Sequence, residues 1–153
     1  DNTTANGYWN ESSKIPETIP GRLDPCGTSL GNDILITGGN TESELMSTDS
    51  YLYNPESSSW SQTTPMLRQR KKHVCFQLNG KAWVFGGDSE STAEKYDPVT
   101  SQWSLIPQIP RGKETSEKEY SYENYGSALV NGKIYLIGGR EMKAASSAIK
   151  VFY

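Results

Sequence analysis

Short apolar runs alternate with polar turns along the whole chain, and no helical spacing of apolar residues lasts more than about two turns. Stretches such as 33–37, 81–86 and 133–137 are rich in β-branched or aromatic residues and are bounded by residues that favour turns. The 14 glycines and 8 prolines among 153 residues provide many points at which a strand must end. The pattern predicts an all-β protein of short antiparallel strands.

One arrangement of residues recurs three times along the chain. Glycine doublets at 38–39, 86–87 and 138–139 are separated by 48 and 52 residues. Each doublet ends a stretch whose central dipeptide is Gly-Asn or Asn-Gly, and these dipeptides tolerate the positive φ of a tight hairpin turn. Repetition at such a period indicates a repeat protein, in which each unit buries its apolar face against its neighbour.

An aromatic pair marks the second half of the first two repeats. Tyr53 leads through Asn-Pro to Trp60, and Tyr96 leads through Asp-Pro to Trp103, each over seven residues. Asn-Pro and Asp-Pro favour turns, because proline presets φ and the Asn or Asp side chain caps the backbone. Each repeat is therefore predicted to hold four strands. The predicted strands are 26–30, 33–37, 50–54, 59–62, 73–78, 81–86, 93–97, 102–105, 125–130, 133–137 and 147–153.

These features resemble the kelch-repeat family over nearly all of the chain. The residues that carry the resemblance as repeat markers are Gly38, Gly39, Tyr53, Trp60, Gly86, Gly87, Tyr96, Trp103, Gly138, Gly139 and Tyr153. Tyr153 is included because it follows Gly139 at the distance at which Tyr53 follows Gly39. The resemblance implies a β-propeller, in which blades of four antiparallel strands surround a central channel. Both tryptophans are expected to wedge between neighbouring blades.

The repeats divide the chain into four predicted segments. Residues 1–20 are expected to hold the final strand of a preceding or closing blade, near Trp9, and a linker. Residues 21–64 form the first blade, 65–107 the second, and 108–153 an incomplete third blade with a long leading loop. Known propellers have about four to eight blades, so these repeats form an incomplete ring. Either the chain is part of a longer propeller, or a second copy pairs with it.

Charge and cysteine content exclude several classes of partner. A net charge of −3 argues against nucleic acid, which needs a basic surface. No apolar run approaches the roughly 18 residues that span a bilayer, so no membrane partner is expected. We expect a cytoplasmic protein, with a cytoskeletal location included and an extracellular one left open.

The chain has two cysteines, Cys26 and Cys75, which is fewer than a disulfide scaffold of this size usually has. We expect two buried thiols.

No motif for catalysis is present. The sequence has no Gly-x-Ser-x-Gly elbow, no phosphate loop and no cysteine with an evident base. His73 is the single histidine, whereas a copper or zinc site usually needs several converging ligands. Asp88, Glu90 and Glu94 are expected in loops without partners. We therefore expect no enzyme and no cofactor, and a fragment of a secreted carbohydrate-oxidase-like propeller is kept only as an alternative.

Candidate partner-binding residues are mostly basic. Residues 68–73 form a compact basic run, and Arg22 and Arg70 occupy matching repeat positions, where the third repeat has Tyr122. The candidates are Arg22, Arg68, Arg70, Lys71, Lys72 and Tyr122. Such groups suit an acidic partner, whereas the alternative is that the arginines bind neighbouring carbonyls. The loop at 111–122 is either a contact loop or a tolerated surface loop.

The resemblance implies a protein–protein interaction scaffold. Among proteins similar to this chain, some bind or cross-link actin filaments, and others hold substrates for ubiquitin ligases through an adaptor domain. We expect another protein as the partner, with actin filaments as a candidate because actin is acidic. A substrate-recognition propeller of a ubiquitin-ligase adaptor is the alternative.

Overall fold

The computed structural model describes residues 14–42, 45–88, 91–110, 122–141 and 144–153, and in these ranges the regular structure is entirely β. The strands are β1 Cys26–Leu30, β2 Asp33–Thr37, β3 Ser50–Asn54, β4 Ser59–Thr63, β5 Val74–Leu78, β6 Lys81–Phe85, β7 Ala93–Asp97, β8 Gln102–Ile106, β9 Tyr122–Glu123, β10 Gly126–Val130, β11 Lys133–Ile137, β12 Arg140–Glu141, β13 Ala144–Ala145 and β14 Ile149–Phe152. The all-β prediction is confirmed, and the predicted strand ends lie within two residues of these bounds.

The strands form three blade-like antiparallel sheets. Their orders are β1-β2-β3-β4, β5-β6-β7-β8 and β10-β11-β14, and β13-β12-β9 forms a small additional sheet. These blades do not close into a ring within the described part of the chain. The tight turns at 31–32, 55–58, 79–80, 98–101 and 131–132 lie at one end of the blades, which we call the turn face. The glycine doublets and the longer connections, including 64–73, lie at the opposite end, which we call the doublet face.

Neighbouring blades pack through side chains that alternate along each strand. On β6, Ala82 and Val84 point towards the first blade and join its buried cluster with Leu35. Trp83 and Phe85 point the other way, and both rings lie 5.3 Å from the ring of Phe152 in the third blade. Successive residues of a strand face opposite sides, so one strand supplies both interfaces.

An aromatic pair stabilises the outer edge of the interface between the first and second blades, which we call the first interface. The Trp103 Nε1 donates a hydrogen bond of 2.9 Å to the Thr64 carbonyl, and the Tyr96 hydroxyl shares one of 2.6 Å with Thr63 Oγ1. Trp60 occupies the equivalent place in the first blade and lies 4.8 Å from Tyr53, ring to ring. Its indole nitrogen has no hydrogen-bond partner among the described residues. Trp103 therefore lies between two described blades, and Trp60 lies on the far side of the first.

The second glycine of each doublet is required by a close backbone approach. A Cβ built on Gly39 would lie 2.7 Å from the carbonyl oxygen of Leu23, and one on Gly139 would lie 2.9 Å from that of Glu123. Gly87 makes the same approach to Lys71. All three have positive φ, so a side chain there would be both crowded and strained.

The register of the third blade corrects the assignment of Tyr153. Phe152 pairs with Ile134 as Tyr53 pairs with Ile34 and Tyr96 with Ala82. Tyr153 lies beyond the last strand with 81% of its surface exposed. The distance from the glycine doublet was misleading, because the connection from β11 to β14 is one residue shorter than its counterpart in the first blade.

The prediction of two buried thiols is wrong. Cys26 on β1 and Cys75 on β5 form a disulfide whose Cα atoms are 6.1 Å apart, and both residues are half-buried. β1 packs directly against β5, so the bond joins two neighbouring blades. Closing a loop with a sequence separation of 49 restricts the unfolded chain, and bonds of this kind contribute about 2–4 kcal/mol.

Two predicted features fall outside the described residues. These are the closing strand near Trp9, within residues 1–13, and most of the long loop, at 111–121. The division of the chain at 20, 64 and 107 remains a prediction.

Candidate partner-binding face

Arg70 lies in the connection between β4 and β5 and is completely buried. Its Nε and Nη2 donate to Glu94 Oε1 at 3.2 and 2.8 Å, and its Nη1 donates to the carbonyl oxygens of Gly86 at 2.6 Å and Thr92 at 2.9 Å. A carboxylate oxygen of Asp88 lies 3.8 Å from Nη1. Every nitrogen of the guanidinium is therefore occupied, which a buried charge requires.

Glu94 joins this ion pair to the backbone of the connection between β4 and β5. Its Oε2 accepts from the Leu67 amide at 2.7 Å, and its Oε1 accepts from the Arg68 amide at 3.0 Å. Glu94 is itself fully buried on β7. The expectation that Asp88 and Glu94 lie in loops without partners is therefore wrong. No local motif marks such a pair, because its members are 24 residues apart in sequence.

Arg22 repeats the arrangement in a weaker form. Its Nη1 donates to the Gly38 carbonyl at 3.2 Å and its Nη2 donates to Asp49 Oδ2 at 2.5 Å. The strand register places Tyr51 where the second blade has Glu94, and the guanidinium carbon lies 5.2 Å from the Tyr51 ring centre. The Arg22 Nε has no hydrogen-bond partner in the part of the chain that the structure describes.

Two of the six candidate residues must therefore be withdrawn as contact residues. The side chains of Arg70 and Arg22 are 0% and 5% exposed, and both bind doublet carbonyls, as the alternative interpretation of the sequence held. Tyr122 pairs through its backbone with Glu141. Arg68 is exposed, and Lys71 and Lys72 are half-buried, so these three remain candidates for contact with a partner.

The backbone holds Lys71 and Lys72 in place. The Lys71 amide donates to the Gly87 carbonyl at 3.0 Å, and the Lys72 amide donates to the Asp24 carbonyl at 3.2 Å. Asn124 then donates to the Lys72 carbonyl at 3.4 Å. Asp24, Lys72 and Asn124 all have φ between 54° and 56° and precede the first strand of their blades. The chain thus forms a series of backbone hydrogen bonds from blade to blade.

The lysine side chains on this series have no carboxylate partner within the described ranges. Three exposed leucines lie on the same face, at Leu23, Leu45 and Leu67, with 68%, 68% and 52% of their surfaces exposed. Leu23 pairs with Asn40, and Asn40 pairs with the neighbour of Leu45. The doublet face therefore combines unpaired positive charge with exposed apolar groups.

His73 is buried between the two doublets of the first interface. Its Nε2 shares a hydrogen bond of 2.8 Å with Thr37 Oγ1, and its ring lies against the Gly38 position. Burial, together with the positive charge of Arg70, lowers the pKa of His73 from 6.5 to about 3. The imidazole is therefore neutral near pH 7 and belongs to the interior of the blade interface.

Acid is expected to destabilise the fold through His73. The unfolded chain binds a proton below its pKa of 6.5, whereas the folded chain binds one only near pH 3. The free energy of unfolding should fall as pH drops through this window, by up to about 1.4 kcal/mol per pH unit from this group. Denaturant melts at several pH values should show the slope, and His73→Gln should flatten it. If the free energy of unfolding of His73→Gln falls with pH as steeply as that of the wild type, the pH dependence comes from the carboxylates and not from His73.

Among the described residues, no cluster of three or more His, Cys, Asp or Glu residues could hold a metal ion. The same part of the chain holds no helix long and apolar enough to cross a membrane.

Comparisons with known proteins agree with the repeat geometry. Residues 69–110 match the family model of the Kelch motif. Human Kelch-like protein 23 is 29% identical over 136 residues, covering 86% of this chain and 22% of that protein. An F-box/kelch-repeat protein of Arabidopsis thaliana is 34% identical over 101 residues, covering 63% of this chain and 24% of that protein.

Kelch-like protein 21 of Danio rerio is 34% identical over 83 residues, covering 54% of this chain and 13% of that protein. The chain thus spans less than a quarter of the length of each of these three relatives.

Proposed function

We propose that this chain, which belongs to the kelch-repeat family, is a non-catalytic propeller segment that binds another protein through its doublet face. The observation that carries the proposal is the placement of Lys71 and Lys72. Their backbone is fixed at the interface of two blades, and their ammonium groups are unpaired among the described residues. Rigid loops that present unpaired side chains are typical of binding surfaces.

The burial of the other polar groups supports binding over catalysis. Arg70, Glu94, Asp88 and His73 would be the first candidates for acid–base chemistry on this face. Each is buried and hydrogen-bonded, so a substrate could not reach it without opening the fold.

The chemistry of the face favours an acidic partner with apolar side chains. Lysine ammonium groups attract carboxylates, and the attraction is strongest at low ionic strength. Leu23, Leu45 and Leu67 offer apolar contacts beside the charges. Actin filaments are the candidate partner expected from the resemblance. A substrate recognised for a ubiquitin ligase is the second candidate, since one relative is named an F-box/kelch-repeat protein.

Removing both lysines should weaken partner binding by at least about tenfold at low salt and by less at high salt. The test compares wild type with Lys71→Ala/Lys72→Ala by actin co-sedimentation and by affinity capture, followed by titration of the identified partner. The matched control is Lys81→Ala/Lys133→Ala, which removes equal charge from the turn face. Equal losses in both variants would show a net-charge effect, and no loss in either would reject the doublet face.

We also propose that further blades cover the free sides of the first and third blades. Ile34 on one side and Ile137 and Ile149 on the other are 38%, 46% and 63% exposed. Blades in a longer chain or in a second copy would bury them, as the first and second blades bury each other. Sedimentation velocity of this chain should show self-association if a second copy provides the cover. A stable monomer would favour the longer chain.

A further inference from the structure

Bonds between the first two blades stabilise their interface at both its outer and its inner edge. At the outer edge, Trp103 and Tyr96 bond to the end of β4 and the residue after it. At the inner edge, where β1 packs against β5, the blades are joined by the Cys26–Cys75 disulfide and by the Lys72–Asp24 backbone hydrogen bond. Asp24 lies two residues before Cys26, and Lys72 lies three before Cys75, so the disulfide and this hydrogen bond are adjacent.

The next interface has the same geometry without the covalent bond. The strand register places Val74 where the first blade has Cys26, and Ser127 where the second blade has Cys75. The hydrogen bond from Asn124 to Lys72 takes the place of the bond from Lys72 to Asp24. The interface between the second and third blades therefore serves as a reference interface without a disulfide.

We propose that Cys26 and Cys75 form a reversible redox latch, which fixes the inner edge of this interface when oxidised and frees it when reduced. Both cysteines are half-buried, so a small thiol can reach them. The apolar cluster that includes Leu35, Val84 and Trp103 lies between the same two blades, and Cys75 packs against it. Reduction leaves these apolar side chains in place, so we expect the blades to stay attached at the outer edge. What loosens is the inner end of the connection that carries Lys72.

The chemistry of the latch is thiol–disulfide exchange. A thiolate of the reductant, such as glutathione or dithiothreitol, attacks one sulfur and releases the other as a thiolate, leaving a mixed disulfide. A second reductant thiolate then frees the first cysteine, and the reductant leaves as its own disulfide. Two electrons and two protons are gained by the chain. Glutathione disulfide reverses the reaction and closes the latch.

Residue-resolved hydrogen exchange on the intact chain tests the proposal without any partner. Native-state reduction should raise the exchange rate of the Lys72 amide by about tenfold or more. It should change the exchange rate of the Gly138 amide, which donates to the Ala148 carbonyl in the third blade, by less than about twofold. Reoxidation by glutathione disulfide should restore the original rate. Intact mass should show that the oxidised chain is lighter by two hydrogen atoms and resists alkylation.

The variant Cys26→Val/Cys75→Ser copies the residues of the reference interface. It should show the fast Lys72 exchange of the reduced chain and no response to dithiothreitol. Equal rates for oxidised and reduced wild type would overturn the latch. A uniform rise across β6 and β7 as well would also overturn it, because the disulfide would then be a global brace. Free thiols in the air-oxidised chain would reject the bond itself.

Discussion

Replacing Glu94 with Gln is expected to lower the free energy of unfolding by about 3–5 kcal/mol, because it removes the carboxylate that bonds directly to the buried guanidinium of Arg70. Only Asp88, 3.8 Å from Nη1, then remains as a countercharge. Both carboxylate oxygens of Glu94 accept hydrogen bonds, from two backbone amides and from Arg70. The NH2 group of Gln cannot accept, so it would face a donor at either of these two positions. Chemical denaturation followed by far-ultraviolet circular dichroism measures the change.

The controls separate the ion pair from its surroundings. Arg70→Met combined with Glu94→Gln should cost clearly less than the sum of the two single changes, because neither Arg70 nor Glu94 leaves a charge without its partner. Lys81→Ala removes a half-exposed partner of Asp97 and should have little effect. A loss below about 1 kcal/mol for Glu94→Gln would contradict a buried pair at this interface.

Truncating Trp103 to Ala is expected to cost about 3–5 kcal/mol, the range for a large buried aromatic side chain. The change removes the ring that packs on Tyr96 and the hydrogen bond to Thr64, so it opens the outer edge of the first interface. Thermal and denaturant unfolding should both show the loss.

Trp60→Ala is the matched control, because Trp60 has the same position in its own blade. Its indole nitrogen has no hydrogen-bond partner within the described ranges, and the side chain lies on the far side of the first blade. Truncation should therefore cost clearly less than at Trp103. Equal losses at both positions would contradict the assignment of Trp103 to an interface between blades.

The sequence predicted those parts of the fold that rest on local requirements. The Asn-Gly turns need positive φ, and Gly39, Gly87 and Gly139 each meet a backbone at close range, so few other residues are tolerated there. Such constraints appear directly as residue types. The strand positions followed from them to within two residues.

The features that the sequence did not reveal depend on contacts between residues that are distant in sequence. Cys26 and Cys75 differ by one position in the repeat register, so the repeat alignment gave no sign that they meet. Arg70 was interpreted as a surface cation because its partner Glu94 belongs to a different part of the chain. Phe152 replaced Tyr153 because one connection is a residue shorter, which only the strand register shows.

The disulfide bears on the compartment in which the chain works. Disulfides persist in oxidising compartments and are rare in the cytosol, where thiols are kept reduced. The cytoplasmic location expected from the sequence would hold the latch open, and an extracellular one would hold it closed. Measuring the oxidation state of Cys26 and Cys75 in protein taken directly from its source distinguishes these conditions.

Site-specific photo-crosslinking tests most directly whether the doublet face binds the partner. A photoreactive residue is placed at Leu45 or Leu67 on the doublet face, or at Val99 on the turn face, which is 91% exposed and therefore at least as accessible. With the partner bound, we expect crosslinks from Leu45 or Leu67 and none from Val99. Crosslinks from Val99 alone would contradict it.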